Sequence, residues 1–94
     1  MCAGVSVTTF DPAKNRSNLA KHGISFATVE EFDWDTALIE EDRSEVYGEQ
    51  RERAISFIGD RLYVYIYTLR DGHDHAISLR LATKQEARFY AQNR

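Results

Sequence analysis

The 94-residue sequence has one cysteine, one proline and only five glycines. The lone Cys2 excludes an internal disulfide framework and any thiolate zinc cage. A single thiol also suits a reducing compartment. No apolar run approaches the roughly 18 residues needed to span a membrane. The first ten residues hold no Lys or Arg and no true apolar block, so they do not read as a secretory leader. The expected setting is cytoplasmic, with no membrane partner. Glycine-rich phosphate loops, the zinc-protease helix motif and paired Cys/His ligands are all missing. No cofactor and no metal are expected. His73 and His75 flank Asp74. On a strand they would share a face, where they could touch a metal, but exposed polar positions in a turn are the expected reading.

The chain has length for one core, so a single domain over residues 1–94 is expected, with 1–6 as a candidate disordered tail. Hydrophobic residues make up 43% and charged residues 29%, a globular mixture. The net charge is −3, unevenly placed. Residues 1–25 carry three basic residues against one acid, and residues 70–94 five against three. Residues 26–69 carry eleven acids against four arginines. Two basic ends and an acidic middle point either to a polyanion site opposite a basic partner's site, or to ordinary solvated charge.

Local signals give the order of elements. Val5 to Phe10 is β-rich and a candidate first strand. Asp11 and Pro12 read as a helix start, and Gly23 as its stop after His22. Ser25 opens a second helix, with Phe26, Val29 and Phe32 as its apolar stripe. Ala37 to Ile39 is a possible edge strand, and Glu40 to Gln50 a loop. A meander follows: Ala54–Ile58, Leu62–Leu69 and His75–Leu81, turning at Gly59-Asp60 and Asp71-Gly72. Tyr63, Tyr65 and Tyr67 face one side of the middle strand, and Leu62, Val64 and Ile66 the other, which marks it as central. In the last strand simple alternation sets Ala76, Ser78 and Arg80 against His75, Ile77, Leu79 and Leu81. Thr83 with Glu86 is a capping box that opens a C-terminal helix. The expected class is α+β: an antiparallel meander sheet, with two N-terminal helices and one C-terminal helix packed on one side of it.

The residues left for chemistry are basic and aromatic: Lys21, His22, Arg51, Arg70, Arg80 and Arg88 beside the tyrosines. Each has a plain structural role open to it. His22 can complement a helix dipole, Arg80 can pair with an acid across the sheet, and the tyrosines can pack. As a set they suit RNA cleavage without a metal. Histidine moves protons near neutral pH, and arginine grips phosphate bidentately. Composition alone does not separate this from plain binding.

The order of short blocks adds to this. Asp11-Pro12-Ala13-Lys14, Asn18-Leu19 and Lys21-His22-Gly23-Ile24-Ser25-Phe26 are followed by Tyr47-Gly48-Glu49-Gln50-Arg51, Arg61-Leu62 and Tyr67-Thr68-Leu69-Arg70. Ile77-Ser78-Leu79-Arg80 and Ala82-Thr83-Lys84-Gln85-Glu86 with Tyr90 complete the series. Over residues 10 to 90 this resembles the BrnT toxins. The resemblance implies a RelE-like fold and a toxin of a type II toxin–antitoxin system. It implies a metal-independent endoribonuclease acting on RNA to stop translation. It also implies a BrnA-like ribbon-helix-helix antitoxin, two toxins on an antitoxin dimer, and operator DNA contacted only through the antitoxin. The matching positions are Lys21 and His22, expected to transfer protons, and Arg51, Arg70 and Arg80, expected to bind phosphate. The chain departs from the family's basic residues at His75 and Leu81. The alternative expectation is therefore a catalytically weak member that acts as an operon co-repressor with its antitoxin, or as an RNA- or ribosome-binding module. The partner surface is expected either on the acidic segment Glu40–Glu52 or on the tyrosine face.

Overall fold

The computed structural model describes residues 8–42 and 51–93. Helix α1 spans Pro12–His22. Asp11 caps it, its carboxylate accepting the Ala13 N–H at 2.9 Å. Gly23, at φ +72°, ends it in the left-handed conformation and donates its N–H to the Leu19 carbonyl at 2.8 Å. Both ends therefore fall where local hydrogen bonding predicts.

The segment opened by Ser25 is not an α-helix. It is a 3₁₀ turn over Phe26–Glu31, followed by a shorter one over Trp34–Thr36. Phe26, Val29 and Phe32 recur every third residue, the 3₁₀ period, without the four-residue steps that sustain an α-helical stripe. Asn15 of α1 anchors this turn by accepting the Phe26 N–H at 2.8 Å and the Ser25 hydroxyl at 3.2 Å.

Four antiparallel strands follow in spatial order β1-β2-β3-β4: Leu38–Asp42, Arg51–Ile58, Arg61–Arg70 and His73–Leu81. Glu40 to Asp42, expected in a loop, thus extend the edge strand, and the first strand of the meander begins at Arg51 rather than Ala54. Positions 43–50 of the expected loop lie outside the described residues, as do the candidate tail and Cys2. The expected strand Val5–Phe10 is reduced to a single parallel bridge between Thr9 and His75, its first three positions also lying outside them. Helix α2, Lys84–Asn93, closes the chain.

Both sheet faces are covered, contrary to the one-sided packing expected. On one face Ala54, Tyr65, Tyr67, Ala76 and Leu79 pack with Phe26, Val29 and Phe32. On the other, Ile55 and Val64 pack with Tyr90 of α2. The cause is β3 itself, which is bulky on both sides and needs cover on each. The tyrosine face is core, not partner surface: Tyr65 and Tyr67 are buried, with Trp34 edge-on at ring distances of 6.1 and 5.7 Å. Burial, and then the Asp74 carboxylate that accepts the Tyr65 hydroxyl at 2.7 Å, push the Tyr65 pKa up. Burial, with the charges of Glu52 and Asp74, pushes Tyr67 up to about 12.

Helix α1 lies along the outer edge of β4 and is held there by polar contacts. Its one buried residue is Asn18. The Asn18 carboxamide donates to the carbonyls of Leu79 at 2.8 Å and Ile24 at 3.1 Å, and accepts the Leu79 N–H at 3.2 Å. Further along the edge, Thr9 donates its N–H to the Asp74 carbonyl and accepts the Ala76 N–H. An otherwise open strand edge is thereby satisfied. Asn18→Ala should strand the buried Leu79 groups and cost about 2 kcal/mol. At 4–8 °C per kcal/mol for a domain of this size, Tm should drop by about 10 °C. A thermal melt within 2 °C of wild type would show that Asn18 does not hold the edge.

Candidate functional site

The register of β3 with β4 shifts between Ile66 and Tyr67, where Ser78 and Ala76 are the partners and Ile77 is the extra residue of a bulge. A bulge reverses the face of everything beyond it. Simple alternation, which separated His75 from Arg80, is therefore overturned. Val64, Ile66, Thr68 and Arg70 lie on one face of β3, so their partners Arg80, Ser78, His75 and His73 share it. Ala76 joins Leu79 on the tyrosine side, where both are fully buried. Across β2, Arg53 pairs with Ile66, which adds Arg53 and the same-parity Arg51 to the cationic side.

Arg51, Arg70 and Arg80 thus occupy one sheet face, together with Arg53, His73 and His75. They do not form one tight cluster. Arg70 is six residues along β3 from Val64, the partner of Arg80, or about 20 Å at the usual rise. Arg70 and His73 are exposed at the hairpin end of the sheet, next to Asp71 and Gly72 at φ +52° and +81°. Arg51, His75 and Arg80 are half-buried. His75 Nδ1 lies 2.9 Å from the Thr9 hydroxyl.

Arg80 is committed to a structural contact. Its two terminal nitrogens donate to the two Glu86 oxygens at 2.7 and 2.8 Å. Glu86 also accepts the Thr83 N–H at 2.8 Å, and the Thr83 hydroxyl accepts the Glu86 N–H at 3.2 Å, completing the capping box. The Arg80 hydrogen bonds, with help from Thr83, pull Glu86 down to about 2, while Glu86 raises the Arg80 pKa. Arg53 bridges onward, 3.9 Å from Glu86 and bonded to Glu40. Glu40 of the acidic segment is therefore internally paired.

Lys21 and His22 sit apart from that row, in the last turn of α1. They line a hollow of about 270 Å³ between α1 and β4. Lys14, Ser17 and Asn18 continue its helix side, and Ile77 and Ser78 of the bulge form its floor. Ser78 belongs to both the hollow and the cationic face, so the two regions are contiguous. Lys14, Ser78 and Arg53 were not singled out by residue type. A clue was available for Lys14, which stands seven residues before Lys21 on one helix face. Among the described residues no group of three His, Cys, Asp or Glu side chains could hold a metal ion, and no helix is long and apolar enough to cross a membrane.

A four-stranded antiparallel sheet with arginines and histidines on one face and a basic hollow at its edge defines a small α+β domain with a cationic site. Residues 10–86 match the family model described as ribonuclease toxin, BrnT, of type II toxin–antitoxin system. The chain belongs to this family, and an antitoxin is accordingly its expected class of partner. Comparison with curated proteins finds no match.

Proposed function

We propose that this chain is an endoribonuclease that cleaves RNA without a metal ion, arrests translation and is neutralised by a BrnA-like ribbon-helix-helix antitoxin, two toxins flanking an antitoxin dimer. A RelE-like fold, a cytoplasmic setting and operator contact only through the antitoxin belong to the same reading. The observation that carries it, beside the family, is the bulge at Ile77, which puts Arg80, Ser78, His75 and His73 on the face that holds Arg51 and Arg70.

The chemistry needs three things. A base takes the proton of the RNA 2′-hydroxyl as its oxygen attacks phosphorus. Cations stabilise the charge that builds on the phosphorane. An acid protonates the 5′-oxygen as the P–O5′ bond breaks, leaving a 2′,3′-cyclic phosphate and a free 5′-hydroxyl. His22 or Lys21 fills the proton-transfer roles, and histidine suits them best near pH 7. Arg51 and Arg70 hold phosphate. Arg80 adds less to that hold, because its terminal nitrogens are bound to Glu86.

That commitment of Arg80, with His75 engaged by Thr9, favours a second reading. In it the chain is a catalytically weak member that serves with its antitoxin as an operon co-repressor. Inducible expression in a bacterial host separates the two. Wild type should arrest growth and degrade cellular RNA, while His22→Ala should leave both intact. A soluble wild type that does neither would favour the co-repressor.

A further inference from the structure

We propose that the hollow between α1 and β4 is a phosphate subsite, in which Lys14 with the hydroxyls of Ser17 and Ser78 seats the phosphodiester next to the one that His22 or Lys21 serves. This rests on the ribonuclease reading and extends it to Lys14 and Ser17, which that reading does not use.

Asn18 sets the orientation of α1. Its three hydrogen bonds to Leu79 and Ile24 fix the rotation of α1 about its own axis. Lys14 lies four residues before Asn18 and Lys21 three residues after, so both share its side of the helix. Two exposed lysines that would read as solvated charge are thereby aimed at the edge of β4. The edge they meet is unusual. Thr9 satisfies it at Asp74 and Ala76, and Asn18 satisfies it at Leu79. Ile77 and Ser78, the bulge, lie between those two ties and floor the hollow. Bulges re-aim side chains beside functional sites.

The lining holds Lys14, Lys21 and His22 and no acid, in a chain whose net charge is −3. No ion pair ties down either lysine among the described residues. Local positive charge without a carboxylate partner, flanked by two hydroxyl donors, is the chemistry of a phosphate seat. The volume exceeds what one phosphate group fills, which leaves room for the strand to pass through. Since Ser78 also stands on the cationic face, the hollow adjoins that face across one strand edge.

The test uses the full chain and a short single-stranded RNA methylated at every 2′-oxygen, which binds but cannot be cleaved. Binding is followed by fluorescence anisotropy from low to physiological salt, for wild type, Lys14→Gln and the charge-matched Arg61→Gln at the far β2–β3 turn. Lys14→Gln should weaken binding about 3- to 10-fold and lower the salt slope by about 0.7, the loss of one single-strand phosphate contact. Arg61→Gln should change neither. Equal effects of the two variants, or none from Lys14→Gln, would overturn the proposal and leave the ribonuclease reading standing. Inorganic phosphate, followed by amide shifts, supplies the second arm. Shifts at Ser17 and Ser78 together with the Lys14 effect on RNA support the subsite. The same shifts without that effect would mark a site for a free anion and overturn it. If the hollow binds as described but wild type never cuts unmodified RNA, the ribonuclease reading fails and the phosphate seat survives.

Discussion

Glu86→Ala should lower Tm by about 15 °C, more than any other single substitution considered for this fold. Glu86 answers two needs at once. It accepts both terminal nitrogens of Arg80, whose side chain is only 28% exposed, and it closes the capping box that starts α2. A charge-assisted bidentate pair of this kind contributes about 2 kcal/mol, and a helix cap about 1. Their loss, near 3 kcal/mol, converts to that Tm shift for a domain of this length. Glu86→Gln can still cap, so it should recover about a third of the loss. The same contact predicts a pH dependence. Glu86 has its pKa depressed to about 2 in the folded chain. Its contribution is therefore fully present above the ordinary carboxylate range and is lost as pH falls from about 5 toward 2. The wild type should lose stability across that window and Glu86→Gln should lose less. Matching acid profiles for the two proteins would show that the Arg80 pair is not stabilising.

Arg70→Ala should reduce kcat/KM for RNA cleavage by about 10²-fold, the usual cost of deleting one donor that meets developing charge. Arg70 is exposed at the end of β3, opposite His73, and the tight Asp71-Gly72 turn holds its backbone. It shares a face with Arg51. Arg88→Ala, which removes an exposed charge from α2, should alter cleavage by less than about threefold. If Arg70→Ala and Arg88→Ala behave alike, the hairpin end of the sheet lies outside the site.

The parts of the fold legible in the sequence are those decided within a few residues. Asp11, Pro12 and Gly23 bound α1 because caps are satisfied locally. Thr83 and Glu86 open α2 for the same reason. The Asp71-Gly72 turn and the two-sided bulk of β3 were equally readable. The period of three in Phe26, Val29 and Phe32 was visible but misread, since it belongs to a 3₁₀ turn. The bulge at Ile77 was not legible. Ala76, Ile77, Ser78 and Leu79 alternate small and large in either register, and tertiary contacts choose between them. Asp74 bonds Tyr65 on one side of the bulge, and Leu79 bonds Asn18 on the other.

For the candidate site, residue type offered a set of cations but not their grouping. Arg80 shares the face of Arg51 and Arg70 only because of the bulge, while Lys21 and His22 line a hollow beside it. The Arg80–Glu86 pair joins two residues that were both noticed, one as a candidate ligand and one as a cap. Their meeting depends on how the chain turns from β4 into α2. Asn18 is the position where the sequence hints at this docking, since a polar residue in a helix with no apolar stripe is the mark of a helix docked by hydrogen bonds.

In the proposed reaction this chain cuts RNA with its own side chains. The direct measurement is incubation of the purified protein with a defined single-stranded RNA in excess EDTA, with the product ends analysed. Fragments ending in 2′,3′-cyclic phosphate and 5′-hydroxyl are expected for wild type and none for His22→Ala. Intact RNA with a folded wild type, or cleavage restored only by added divalent metal, would contradict it.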